Sequence, residues 1–528
     1  MPTSETSLAE LLHEVRRIEE HRTILTDKKI EKIYQQLMKE LNAFLSDYYI
    51  KYADDEGKLT GAMLEAQGQK AKFLEECVKN VDSISPLVKK EITKLVEETY
   101  AACYSGMAKA VKKAKTTEEI AEYTKGMSVR PEVMKRAVNN NISKLTLPPI
   151  LEKNRQEVIY DIQQTLNVGL VNGDRYETMS KRISERLNVS RTKANNIVRT
   201  ESHRNVESGF MDSAKNIQES FDGSDLVYTA TWRTMKDERV RPQQRRKSGG
   251  KWKTTLSKNG ANHIKMEGVT VKVGDKFKLE TGVTTESPSN SGYARHDCNC
   301  RCFLEYDLMT IEEFEKATGK PVNVASLHKS VRQAMNENGI ADCGLERTTD
   351  SERFASAIDN AKKANKNGGS VDAHPTEELR TFKTFVAKND MAGVAVKADG
   401  DITAVFKNSN YKQRGVVNDL IITARENGGT KMDCYGQFLA NAYEQCGYVP
   451  VARVPFNADY VSDPLLLKTK PDVYVLMKNT DSIDTVIKKN GAKAYKLSSQ
   501  EQLDKLPTFE YDDALNYRDK LLRLQENK

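Results

Sequence analysis

In the first half of this chain the apolar residues change their period once, and that change divides what it can fold into. As far as about residue 220 they recur every three or four positions, the spacing that gathers side chains on one face of a helix. From Leu226 they recur every second position, as in a strand. In residues 7–47 the helical series is Leu11, Val15, Ile18, Ile24, Ile30, Ile33, Leu37, Leu41 and Leu45. A polar break at residues 53–57 precedes more helix to residue 115, with Ser85 and Pro86 marking a turn. Residues 116–150 read as short helices ending at Pro148 and Pro149, which fit the first turn of the next helix and not its interior. Residues 151–217 read as helix, glycine turn, helix, turn, helix. The spacing predicts a scaffold of packed helices whose stripes are core. Within it Arg199, Glu201, His203 and Arg204 cannot all share a face, and spacing alone makes them surface groups.

The β-rich stretch opens with LVYTATWRT and alternates again in GVTVKVGDKFKLE, where Gly274 and Asp275 predict a hairpin turn. Between the two lies a long loop or extended hairpin. The net charge of +7 is modest for 528 residues and excludes a general nucleic-acid coat, but residues 231–260 hold ten Lys or Arg against Asp237 and Glu238. Such a patch, with Arg241, Arg245, Arg246, Lys247 and Lys251 at its centre, can contact DNA phosphates, dock on an acidic protein, or stay solvated. Trp252 is the one aromatic interleaved with its basic run, so base stacking is not indicated.

The stretch closes in Cys298, Cys300 and Cys302, with His296 just before them and His263 upstream. Two cysteines with His263 and His296 make a candidate zinc set. Against it, alternate residues of a regular strand point the same way but lie far apart along the chain, which favours reduced cysteines in a packed corner. A redox pair is the third reading. The other five cysteines are scattered and predict no disulfide framework.

The length exceeds what a single core holds and predicts several domains. The expected fold is multidomain: mainly α at the N-terminus, then a small β-rich α+β unit, then a C-terminal α/β domain. The boundaries read as a helical domain over 1–150, a further helical part over 151–225, the β-rich unit over 226–310, a linker over 311–350, and the last domain over 351–528. No run of apolar residues is long enough to span a membrane, and the N-terminus enters a charged amphipathic helix without a signal peptide's apolar core. Folding in a cytoplasm is expected.

Residues 7–310 resemble the minor head proteins of tailed bacteriophages, the family named for the F protein of phage Mu. The resemblance rests on Arg199, Thr200 and Glu201 in the last helix, then on Trp232, Thr234, Asp237, Arg241, His263, Met266, Gly268, Phe277, Pro288, Asn299, Cys300, Arg301 and Cys302 in order. The sequence departs from the family by an insertion of about fifteen basic and polar residues between Arg241 and His263. The resemblance implies a protein made in the host cytoplasm and held inside the phage head near the portal. Its partners would be the portal protein, capsid or scaffold proteins and packaged DNA, and its role head assembly or DNA delivery.

In the second half, residues 392–478 read as strand, strand, helix, strand, helix, strand and strand. Residues 380–480 resemble acetyltransferases of the GNAT type. That resemblance implies acetyl-CoA as cofactor, its pyrophosphate on the helix N-terminus at Gln413, Arg414, Gly415, Val416 and Val417, and Tyr443 as the acid that protonates the departing thiolate. The alternative function is thus an effector acetyltransferase delivered with phage DNA. The Glu-x-Glu pair of an ADP-ribosyltransferase does not occur after residue 345.

Overall fold

The computed structural model describes residues 7–113, 147–237, 240–242, 244–246, 252–254, 261–365, 371–461 and 463–526. The chain divides into two compact units, one of residues 1–217 with 228–308 and one of residues 218–227 with 309–528. The helical scaffold and most of the β-rich stretch therefore share one unit.

The first unit starts with α1 (Leu8–Tyr52), whose N-terminus is closed by a reciprocal capping box between Ser7 and Glu10. Helices α2 (Gly61–Ala66), α3 (Lys70–Ser83) and α4 (Ser85–Lys113) follow, then α5 (Leu147–Asn172) and α6 (Tyr176–Ser220). The short helices expected over residues 116–150 fall, apart from their last residues, outside those described. The α1 stripe of Ile30, Tyr34, Leu37, Leu41 and Leu45 is buried against Phe73, Ile92, Leu95, Ile162 and Leu166 in one core. Ile18 and Ile24, placed on that stripe by spacing, are exposed, while Glu19 and Thr26 are buried there instead. Helix α6 packs so closely on α4 that a Cβ on Gly209 would lie 2.7 Å from the Tyr100 carbonyl oxygen. It also runs unbroken for 45 residues through Asn188, where the sequence pattern predicts a turn. Ser190 is buried and gives its hydroxyl to the Arg186 carbonyl at 3.1 Å, a bond made within the helix.

In the β-rich part, β1 (Leu226–Thr234) is the centre of a three-stranded sheet between β4 (Thr270–Lys272) and β7 (Cys302–Thr310). Thr229, Ala230 and Thr231 pair antiparallel with Lys272, Val271 and Thr270. The basic segment holds an antiparallel pair, β2 (Gln244–Arg246) with β3 (Trp252–Thr254). The turn at Gly274 does not make the predicted hairpin: β5 (Phe277–Lys278) pairs with β6 (Thr284–Thr285), while β4 pairs with β1. A single turn of helix, α7 (Ala294–Asp297), leads into β7.

The second unit begins with α8 (Ile311–Thr318), β8 (Asn323–Ala325), α9 (Lys329–Glu337) and β9 (Leu345–Thr348). This is the segment expected to be a linker. Its two strands instead form one side of a five-stranded antiparallel sheet of order β12-β11-β10-β9-β8. The rest of that sheet comes from β10 (Lys383–Ala387), β11 (Ala392–Val396) and β12 (Ile402–Lys407), preceded by α10 (Ser351–Ala364) and the short α11 (Thr376–Leu379). Alternate residues serve opposite faces. Val386, Ala395 and Phe406 meet Phe354 and Ile358 of α10, while Phe385, Val394 and Val396 meet Leu420 and Ile421 of α12 (Val416–Glu426).

A second sheet of order β13-β15-β14 is built from β13 (Lys431–Tyr435), β14 (Tyr448–Val454) and β15 (Val473–Lys478), with α13 (Gly436–Glu444) between its first two strands. One parallel bridge, Asp401 to Lys431, joins the two sheets. Charges lock that junction: Lys431 lies 2.9 Å from Asp399 and 3.2 Å from Asp519, the latter on α17 (Tyr511–Glu526). Between β14 and β15 lies α14 (Pro464–Thr469), and α15 (Ile483–Gly491) and α16 (Gln500–Asp504) precede α17. No helix of the described residues is long and apolar enough to cross a membrane.

Candidate metal centre

Three of the residues on which the resemblance rests, His263, Cys300 and Cys302, converge on one buried point. His263 Nδ1 lies 3.5 Å from the Cys300 sulfur and 3.5 Å from the Cys302 sulfur. All three side chains are buried, and their donor atoms lie within 4.8 Å of one another. Trp232, 1 % exposed, closes one side, with its ring edge-on to His263 at 5.6 Å and to Phe277 at 5.3 Å.

Local backbone explains the convergence. Asn299 takes a left-handed conformation at φ 51°, one that Asn tolerates better than most residues, and regular pairing begins only at Cys302. Cys300 therefore lies in a bend and not in a strand, and the objection that alternate strand residues lie too far apart does not apply. The Asn299 N–H donates to Thr200 Oγ1 at 3.1 Å, which ties the bend to α6. His263 is held by its own N–H, which donates to the Arg241 carbonyl at 2.9 Å. The Arg241 side chain in turn donates to the Cys298 carbonyl. Of the residues expected to face DNA, Arg241 is thus turned inward as a brace. Arg245 and Arg246 lie on β2, and Lys247 and Lys251 fall outside the described residues.

His296 does not join His263 and the cysteines as a donor. Its Nδ1 meets the far nitrogen of His263, Nε2, at 3.0 Å, and its own Nε2 meets Thr281 Oγ1 at 2.8 Å. Burial, with His263, Arg295 and Arg241 nearby, pushes its pKa down to about 4, so it is neutral. It stands one layer behind the cluster. His203, expected on the helix surface, has Nε2 on the Cys302 carbonyl at 2.8 Å, and its ring also meets the Cys300 thiol. Since a carbonyl only accepts, His203 Nε2 carries the proton. The two thiols are coupled: the hydrogen bond from Cys302, despite burial, draws Cys300 down, and Cys302 is driven up.

Spacing also misplaces the neighbours of His203. Glu201 and Arg204 are each 1 % exposed and form a buried ion pair. Glu207, fully buried, accepts from Arg16 of α1 at 2.9 Å and from the Leu304 N–H of β7 at 3.1 Å, while Arg16 also donates to the Leu304 carbonyl at 2.7 Å. Neither Arg16 nor Glu207 carries a sequence signal, because their burial depends on β7 packing about a hundred residues later in the chain.

The residues expected to serve acetyl transfer lie in the second unit. Gly415, φ 77°, caps α12 without a side-chain bond to its first turn. Gln413 is tied down by Tyr411, whose hydroxyl donates to its side-chain oxygen at 2.6 Å. Arg414 is exposed, Val416 buried and Val417 half-buried. Tyr443 is a core residue beside Cys434 and Cys446, and burial pushes its phenol up, so it stays protonated.

Residues 160–305 match the family model described as Phage Mu protein F like protein. The chain is also similar to the Minor head protein GP7 of Bacillus phage SPP1, 28% identical over 281 residues that cover 53% of this chain and 81% of that protein. No solved structure matches it.

The Arg16–Glu207 contact is open to a direct test. Replacing Arg16 by Ala leaves a buried carboxylate without its cation and is expected to destabilise the first unit by about 3–5 kcal/mol. Arg199→Ala, which breaks the exposed pair with Asp27, is expected to cost less than about 1 kcal/mol. Denaturant unfolding of both variants checks the ranking, and equal losses would contradict the assignment.

Proposed function

We propose that this chain is a minor head protein of a tailed phage, resident in the virion, whose first unit is the part that assembles with the other head components. The observation that carries this reading is the agreement of the comparisons with the geometry: the matched span 160–305 contains Trp232, His263, Cys300 and Cys302, which pack together as one buried knot. The similarity to a minor head protein over 81% of that protein's length supports the same role. On this reading the partners are the portal and the capsid or scaffold proteins, and the chain sits inside the head near the portal. Proteomics of purified particles tests it. The chain should be present at low copy number and enriched in portal-containing complexes; its absence from particles made by an infected host would contradict the role.

The β2–β3 pair is the part of this unit suited to packaged DNA. Its register sets Arg245 opposite Lys253 and Arg246 opposite Trp252, so the positive charge is concentrated on one short ribbon. Reversing Arg245, Arg246 and Lys247 to Glu should weaken duplex binding and flatten its logarithmic salt dependence by roughly 2–3, about 0.9 for each phosphate that is no longer neutralised. An unchanged slope would remove DNA from the set of partners.

The second unit favours a further reading, a GNAT-like domain that carries an acetyl-CoA site. Three features support it. The element order is five antiparallel strands, of which β9 to β12 are the last four, then a helix, then a strand parallel to β12, then a helix and two more strands. The parallel neighbours β12 and β13 touch at one bridge, and β12 carries a bulge where Ala404 takes φ 49°. Gly415 opens α12 directly after β12, where a pyrophosphate would meet the helix N-terminus. Calorimetry of the full chain with acetyl-CoA separates a cofactor-binding domain from a structural one. Micromolar binding, weakened at least tenfold by Arg414→Ala, is expected; no heat at millimolar cofactor would leave the unit without this activity.

A further inference from the structure

We infer that the first unit holds a zinc ion, bound by His263 Nδ1, Cys300 Sγ and Cys302 Sγ, with His296 serving as the outer partner of His263.

The distances carry the donor set. With bonds of about 2.3 Å to sulfur and about 2.0–2.1 Å to nitrogen, a tetrahedral zinc separates a sulfur from a nitrogen donor by roughly 3.5 Å. His263 Nδ1 stands 3.5 Å from each sulfur. Two thiols and an imidazole, all buried and converging on one point, are a soft donor set that suits zinc better than calcium, magnesium or manganese.

Two further observations are independent of those distances. The indole N–H of Trp232, itself 1 % exposed, makes no hydrogen bond, yet it stands beside the Cys302 sulfur. A zinc-bound thiolate gives that buried donor its acceptor, as protonated thiols do only weakly. The second observation is the histidine relay. If His263 binds metal through Nδ1, its proton sits on Nε2, which is the atom 3.0 Å from His296 Nδ1. His296 then passes its own Nε2 proton to Thr281 Oγ1 at 2.8 Å. Every nitrogen in the chain has one consistent role, and metal-bound histidines are commonly oriented in this way.

His203 stands outside this set: its Nε2–H is spent on the Cys302 carbonyl, and its ring is not among the donor atoms within 4.8 Å of one another. The ion would then tie together the residues that follow the basic insertion and the bend that leads into β7. These segments otherwise share strands of only two or three residues, β4, β5 and β6, with the longer β1 and β7. A metal is a common reinforcement where so little regular structure holds a unit.

The test uses the full chain, purified without added metal or chelator. About one zinc per chain is expected by elemental analysis, and exchange with cobalt(II) should give the intense visible spectrum of a tetrahedral site with thiolate-to-metal bands. Cys300→Ser and His263→Ala should each lose the zinc. His21→Ala, an exposed histidine of α1, should keep it. His296→Ala should retain one zinc but bind it about 10–100-fold more weakly. Less than a tenth of a zinc per chain with no cobalt spectrum, or a Cys300–Cys302 disulfide in protein kept under reducing conditions, would overturn the site. The cobalt spectrum is read on the unaltered protein, so this outcome does not depend on any variant folding. Complete loss of zinc in His296→Ala would overturn the outer role of that residue.

Discussion

The first unit depends on the contact between His263 and the two sulfurs of Cys300 and Cys302 beneath Trp232. Three segments far apart in sequence meet there, and each is fixed by a separate backbone device. Arg241 holds His263 by its carbonyl, the left-handed Asn299 bends the chain so that both sulfurs turn inward, and Thr200 anchors that bend to α6. Removing any one of the three would leave buried polar groups without partners, a cost that falls on the whole β-rich part.

Around that point the helical scaffold and the β-rich part are joined by buried polar contacts and not by apolar packing alone. Glu207 receives Arg16 from α1 and the Leu304 N–H from β7, and the Glu201–Arg204 pair lies one turn earlier on α6. Buried ion pairs of this kind are poor sources of net stability but punish misplacement strongly, because a charge that loses its partner has no water to replace it. They fix the register of α1 and β7 against α6.

Much of the scaffold is legible in the sequence, because long amphipathic helices are announced by their period. The stripe from Ile30 to Leu45 is core as spacing predicts. Where the structure departs from the pattern, tertiary contacts intervene. Glu201 and Arg204 look like surface residues but are buried as a pair, and His203 turns its ring to the Cys302 carbonyl at the start of β7. The cysteine spacing misleads for a different reason: it suggests a strand where Asn299 makes a bend, so thiols expected to lie apart converge. Strands β8 and β9 escape notice because three or four residues are too few to show alternation, and a sheet built by other segments recruits them. His296 reads as a ligand from its place before the cysteines, but pattern cannot tell a first donor from the residue that orients it.

If the residues marking the family pattern form one metal-centred knot, crystals of the full chain, with diffraction recorded on both sides of the zinc absorption edge, show it most directly. One strong anomalous peak is expected at bonding distance, about 2.0–2.3 Å, from His263 Nδ1, Cys300 Sγ and Cys302 Sγ, and none beside His296. No peak there, or a peak coordinated by His296 in place of His263, would contradict the metal-centred knot.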